Sequence, residues 1–266
     1  MSALGNDKTL KLYMLVNLAL SFARRGYKAG ILDTDIFGPS IPTLLDLSGE
    51  PRLSASQSAM RPDMRTYSDL FLQPDNQLLP LSNYGLKSMS MGYLVPESSP
   101  VAWRGLMVMK ALQQLLHEVE WGGLDVLVLD MPPGTGDVQL TITQQLVLDG
   151  ALIVSTPQEL SLKDAVKGVE LFRKVDVKLL GLVCNMAGFK CPGCGDVHEV
   201  FGSMDNIRAM CSKYELNMLS EIPLDGSVGA NADRGKPAVV AQPDGERAMT
   251  FASIAQQLEG LIGLQK

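Results

Sequence analysis

Apolar residues along the chain fall into two kinds of run, and their alternation predicts the architecture. Leu10–Arg25 carries an apolar stripe at helical spacing and stops near Gly26, which predicts a helix. Lys28–Asp33 follows as a short apolar strand. Trp103–Trp121 repeats apolar positions on one face and ends at Gly122-Gly123, the pattern of a long amphipathic helix. Leu124–Asp130 ("LDVLVLD"), Ala151–Ser155 and Leu179–Cys184 are near-continuous apolar runs, as expected of strands covered on both faces of a parallel sheet. Further helices are expected over Leu160–Lys174, Ser203–Tyr214 and Glu246–Ile262. Leu78–Ser82 and Leu86–Met91 flank a turn at Asn83–Gly85 and read as two strands. Phe37–Pro42 reads as a loop leading into a short helical turn, and residues 48–77 show no period. Strands alternating with helices predict an α/β fold with a doubly wound, mostly parallel sheet, in one domain over residues 1–266.

Composition narrows the function classes. The 266 residues are 46% hydrophobic and 20% charged, an ordinary balance that can bury a core. A net charge of −6 argues against broad nucleic-acid binding. Leu12–Phe22 is interrupted by Asn17 and Ser21, and no run is long enough for stable membrane insertion. The start lacks the pattern of a secretory signal or a convincing transit peptide. Four cysteines do not make a disulfide framework, and two of them form a CxxC.

The chemistry sits at strand ends, where open α/β sheets bind ligands. One strand closes in Asp33-Thr34-Asp35, another in Asp130-Met-Pro132-Pro-Gly134-Thr-Gly136-Asp137, a third near Asn185. An aspartate closing an apolar strand is where a P-loop protein holds magnesium, and Gly134 and Gly136 let backbone approach a phosphate. A strand-terminal aspartate can also simply cap a turn. Cys191-Pro-Gly-Cys194 reads as a loop after the strand that ends at Asn185, with three uses open: a redox dithiol, a zinc site completed by His198 and Cys211, or a metal shared by two chains. Cys184 reads as a core residue, and His117 as a surface or packing residue.

Several ordered motifs together resemble the Mrp family of MinD-related P-loop ATPases that carry iron–sulfur clusters. They are "GILDTDIFGPSIP", "WRGLMVMKAL", "LDVLVLDMPPGTGDVQLTI", "VSTPQ", "GLVCNMAGFKCPGCG" and "EIPLD". "WRGLMVMKAL" and "MSMGYLV" look most similar to its mitochondrial nucleotide-binding-protein-like branch, which serves respiratory complex I assembly. The resemblance implies that Asp33 and Asp35 form a switch orienting magnesium and the attacking water. It implies that Asp130 is the Walker B carboxylate and that Gly134–Asp137 is a second switch. Lys11, Pro132, Gly134, Gly136 and Asn185 would meet ATP, Asn185 at the adenine edge. Cys191 and Cys194 would hold a [4Fe–4S] cluster bridging a homodimer, for delivery to apo iron–sulfur proteins such as complex I subunits. The location implied is the mitochondrial matrix, with the cytoplasm as the alternative. Other classes remain in view: a MinD/ParA-like positioning ATPase, or a zinc-stabilised adaptor without catalysis.

The opening stretch departs from that family. A Walker A loop needs G-x-x-x-x-G-K-[ST] between a strand and a helix. Counting from Gly5 puts the lysine at Lys11, but Leu10 stands for the second glycine and Leu12 for the hydroxyl residue. Asn6 stands where the family has a second lysine. Only Met1–Leu4 precede Gly5, so the central first strand is expected to be missing or degenerate, along with the loop. The expectation is a chain incomplete at its amino end, or else a pseudo-ATPase, with ATP binding impaired. The surviving aspartates and glycine turn favour the first.

Overall fold

The computed structural model describes residues 2–4, 8–35, 40–54, 77–94, 105–132, 134 and 136–265. Its elements run β1 (Ser2–Leu4), α1 (Lys8–Arg24), β2 (Ala29–Asp33), α2 (Ile41–Leu44), β3 (Leu81–Asn83), β4 (Leu86–Ser90), α3 (Gly105–His117), β5 (Val126–Asp130), α4 (Asp137–Gln145), β6 (Ala151–Ser155), α5 (Glu159–Lys174), β7 (Leu179–Lys190), β8 (Val197–His198), α6 (Met204–Lys213), β9 (Met218–Leu224), α7 (Ser227–Asp233), α8 (Ala238–Ala241) and α9 (Glu246–Ile262). The strands form one sheet in the order β3-β4-β2-β5-β1-β6-β7-β8, and β9 also pairs with β7. Pairing is parallel except for the β3–β4 and β7–β8 hairpins. The α/β reading of the sequence is therefore met, and the helix over Glu246–Ile262 has the bounds expected of it.

The central strand corrects the sequence reading. Ser2–Leu4 occupies the middle of the sheet, with Ala3 opposite Asp130 of β5 on one side and Leu152 of β6 on the other. Three residues suffice because both flanking strands already present parallel ladders. Gly5–Asp7, the expected loop, lie outside the described residues. The chain leaves β1 for β2 on one side, whereas β6 and β7 build outward on the other. That reversal opens a crevice at the carboxyl ends of β1, β2 and β5.

Helix α1 is buried around its circumference from Leu12 to Phe22, because it lies between the sheet and the α8–α9 layer. The two polar interruptions in this run are satisfied. Asn17 Nδ2 donates to the Tyr13 carbonyl at 2.8 Å, and its Oδ1 accepts from Val239 N at 3.0 Å. The Tyr13 hydroxyl accepts from Ala238 N at 3.2 Å. Asn17 and Tyr13 thus supply acceptors for the first N–H groups of α8, which have no partner within their own helix.

Strand β7 runs past its expected end at Cys184, through Asn185, to Lys190. Two irregularities allow this. Gly181 has φ +146°, at a register shift against β6. Met186 has φ +55°, beside a second shift against β9.

Candidate functional site

Register brings the acidic residues together. Asp33, last in β2, pairs with Asp130, last in β5, and on its other side with Ser90, last in β4. All three side chains are buried. Asp33 Oδ1 accepts from Asp35 N at 2.9 Å and Oδ2 from Ser90 Oγ at 3.0 Å. Burial, reinforced by the charge of Asp130, pushes the Asp33 carboxyl up to about 8. Thr34 ties the two strand ends, its N and Oγ1 both donating to the Asp130 carbonyl, at 3.1 and 2.5 Å.

Lys11 reaches this cluster from α1. Its Nζ is 2.8 Å from Asp130 Oδ1 and 2.5 Å from the Met131 carbonyl, with only 2% of the side chain exposed. The lysine at the Walker position thus faces the strand-end carboxylate as its counter-ion. Beyond Asp130 the backbone turns through Pro132, Gly134 (φ +95°) and Gly136, which caps α4. Gln139 Nε2 donates to the Pro132 carbonyl at 3.0 Å and holds this turn against the first turn of α4.

Among the sequence candidates, Lys11, Asp33, Asp35, Asp130 and Pro132 share one end of the sheet, with Gly134 and Gly136 in the adjoining turn. Asn185 is on β7, with β1 and β6 between it and β5. Its Oδ1 accepts from Met186 N at 3.0 Å and holds the kink there. Sequence reading passed over Ser90, Thr34 and Gln139. Ser90 and Thr34 are single hydroxyls within motifs noticed for other residues, and their role depends on register across strands.

The cysteine pair sits apart from the carboxylates, at the tip of the β7–β8 hairpin rather than in a loop after Asn185. Cys191 N donates to the Asp196 carbonyl and Gly195 N to the Cys191 carbonyl, each at 2.8 Å. Cys194 is exposed and Cys191 partly so. Backbone N–H groups of Cys194 and Gly193 point at the Cys191 sulfur and lower its pKa. A hairpin tip lacks the helix N-terminus typical of a redox CxxC. Cys211 is buried in α6, and Cys184 lies in β7 with its Sγ 3.7 Å from Met204 Sδ. Among the described residues no three His, Cys, Asp or Glu side chains converge to hold a metal ion, so the zinc set of Cys191, Cys194, His198 and Cys211 is not assembled.

A parallel sheet with carboxylates closing adjacent strands and a lysine reaching them from the first helix defines a P-loop NTPase-type α/β protein. Residues 11–259 match the family model described as the NUBPL iron-transfer P-loop NTPase, and the chain belongs to that family. It is 45% identical over 245 residues to the mouse iron–sulfur cluster transfer protein NUBPL, covering 91% of this chain and 70% of that protein. It is 41% identical over 253 residues to an Arabidopsis thaliana iron–sulfur protein required for NADH dehydrogenase, mitochondrial, covering 94% and 74%. Among solved structures it resembles the Archaeoglobus fulgidus nucleotide-binding protein in complex with ADP, with a TM-score of 0.70 and 32% identity over 92% of this chain and 88% of that one. Among the described residues no helix is long and apolar enough to cross a membrane.

Proposed function

We propose that this protein is an ATP-dependent carrier that takes an iron–sulfur cluster as cargo and hands it to apo iron–sulfur proteins, with subunits of respiratory complex I in the mitochondrial matrix as recipients. The observation that carries the reading is the exposed CxxC at the hairpin tip, a pair of thiols with no third ligand beside it among the described residues. A four-iron cluster is held by four thiolates. Two chains, each giving Cys191 and Cys194, complete that set, so the loaded form is a homodimer. The thiolate is the form that ligates iron, and the lowered pKa of Cys191 favours it. The names borne by the mouse and Arabidopsis relatives support the cargo and the recipient.

In the nucleotide site, Asp33 and Asp35 would orient the attacking water, and Asp130 would hold magnesium. The donor set suits a divalent cation: Lys11 offsets Asp130 alone, the Asp33 pKa is raised by burial and by Asp130, and a cation between the two carboxyls would favour ionised Asp33. When bound, magnesium offsets charge on the phosphate oxygens. Backbone at Pro132, Gly134 and Gly136 approaches the phosphates, and the Asn185 amide offers a donor and an acceptor to adenine. Lys11 must leave Asp130 to meet a phosphate, which weakens ATP binding.

Anaerobic reconstitution with iron and sulfide tests the reading. A brown dimer with about two irons per chain is the expected product, and Cys191→Ser or Cys194→Ser should abolish it. Cluster absorbance that survives both substitutions, or one zinc per chain in the purified protein, overturns it.

A further inference from the structure

Ser90 is a polar residue at the end of a buried strand, between the buried Met89 and Met91, and it is itself fully buried. Packing alone does not call for a hydroxyl there. Two contacts account for it. Ser90 Oγ accepts from Gly92 N at 3.1 Å, at the start of the single 3₁₀ turn Met91–Tyr93, and lies 3.0 Å from Asp33 Oδ2. A serine hydroxyl carries one hydrogen. With a lone pair facing the Gly92 N–H, that hydrogen turns toward Asp33 in its ionised form, the form that acts on the attacking water. The other carboxylate oxygen takes the Asp35 N–H, so both oxygens of Asp33 are held and the plane of the group is fixed. The turn is anchored in its own right by the Tyr93 hydroxyl, 2.8 Å from Ser88 Oγ.

We propose that Ser90 is the positioning residue for Asp33, holding its carboxylate in the orientation that meets the attacking water. The assignment rests on the role given to Asp33 in the proposed function. Ser90 does not touch the nucleotide and acts only through Asp33. Its hydroxyl also links the first switch to the segment leaving β4, so a shift of that segment turns the carboxylate.

The test compares Ser90→Ala with Ser90→Thr, which keeps a hydroxyl on the same Cβ. In ATP turnover, Ser90→Ala should lower kcat at least tenfold with KM changed less than twofold, and Ser90→Thr should recover most of the loss. A readout independent of turnover uses the full chain labelled with ¹³C-aspartate. The infrared difference between the protein and its Asp33→Asn variant isolates the Asp33 carboxyl band. Ser90→Ala should shift that band and Ser90→Thr should restore it. An unmoved band in Ser90→Ala overturns the proposal, as does normal kcat in a protein whose band has shifted. If the unsubstituted protein turns over no ATP, the nucleotide reading fails by itself, and the band alone then decides the role of Ser90.

Discussion

The buried Lys11–Asp130 pair gives the most direct prediction at the scale of single residues. Removing one partner of a buried ion pair leaves the other charge uncompensated, at a cost of about 3–5 kcal/mol. Lys11→Ala should therefore lose about that much stability in urea unfolding, because the ammonium that offsets the buried charge of Asp130 is removed. Lys11→Met combined with Asp130→Asn should recover much of the loss, since no bare charge remains. Asp33 gives a prediction in pH. Its carboxyl rises from an ordinary 3.8 to about 8 through burial and the neighbouring Asp130. Between those values the folded protein holds a proton that the unfolded chain has released, so stability falls as pH rises through that window. The contribution is fully present below the lower value and gone above the upper one. Asp33→Asn removes the titration, and its melting temperature should vary less from pH 5 to 8 and exceed that of the unsubstituted protein at pH 8.

At the scale of elements, Gly181 decides whether β7 can serve two neighbours. A Cβ at this position would lie 2.6 Å from the Asn217 carbonyl oxygen, on a backbone with φ +146°. Gly181→Ala should cost about 1–3 kcal/mol by backbone strain alone, read by urea unfolding. Faster hydrogen exchange in β9 would localise the damage. The same region marks where sequence reading ran out. β9 alternates weakly, carries Glu221 and Pro223, and among the described strands pairs with β7 alone, so its edge position tolerates what a central strand would not. Helix α4, "DVQLTITQQ", is rich in β-branched residues that favour helix little. Its place is set by the turn before it, which Gln139 holds, and by Ile142, fully buried in the core. By contrast, the apolar runs of β5 and β6 were legible because both faces of those strands are covered.

Across the whole molecule, what could be read and what could not separate along the sheet. Strand-end aspartates are visible in sequence, because an apolar run must end where its carboxylate begins. Their neighbours across the ladder are not visible. Ser90 lies 57 positions from Asp33 in the chain, and nothing local announces the contact. Lys11 stands out in the sequence by its count from Gly5, but nothing local shows that its partner is a carboxylate from the fifth strand. The CxxC was legible as chemistry but not as the tip of a hairpin, since β7 continues only by kinking at Met186. That kinked strand carries both Asn185 and the base of the cysteine hairpin.

The short central strand has a consequence for the order of folding. Among the described residues, Ser2–Leu4 finds its partners in Leu129–Asp130 and Ala151–Ile153. These residues leave the ribosome early, yet their slot does not exist until β6 has been synthesised and has docked. Contacts so distant along the chain form slowly, because the loop between them must close first. Residues made well before their partners are thus among the last to lock. Until they do, the emerging chain carries a cleft between β5 and β6 that a chaperone, or a strand from a neighbouring chain, can enter.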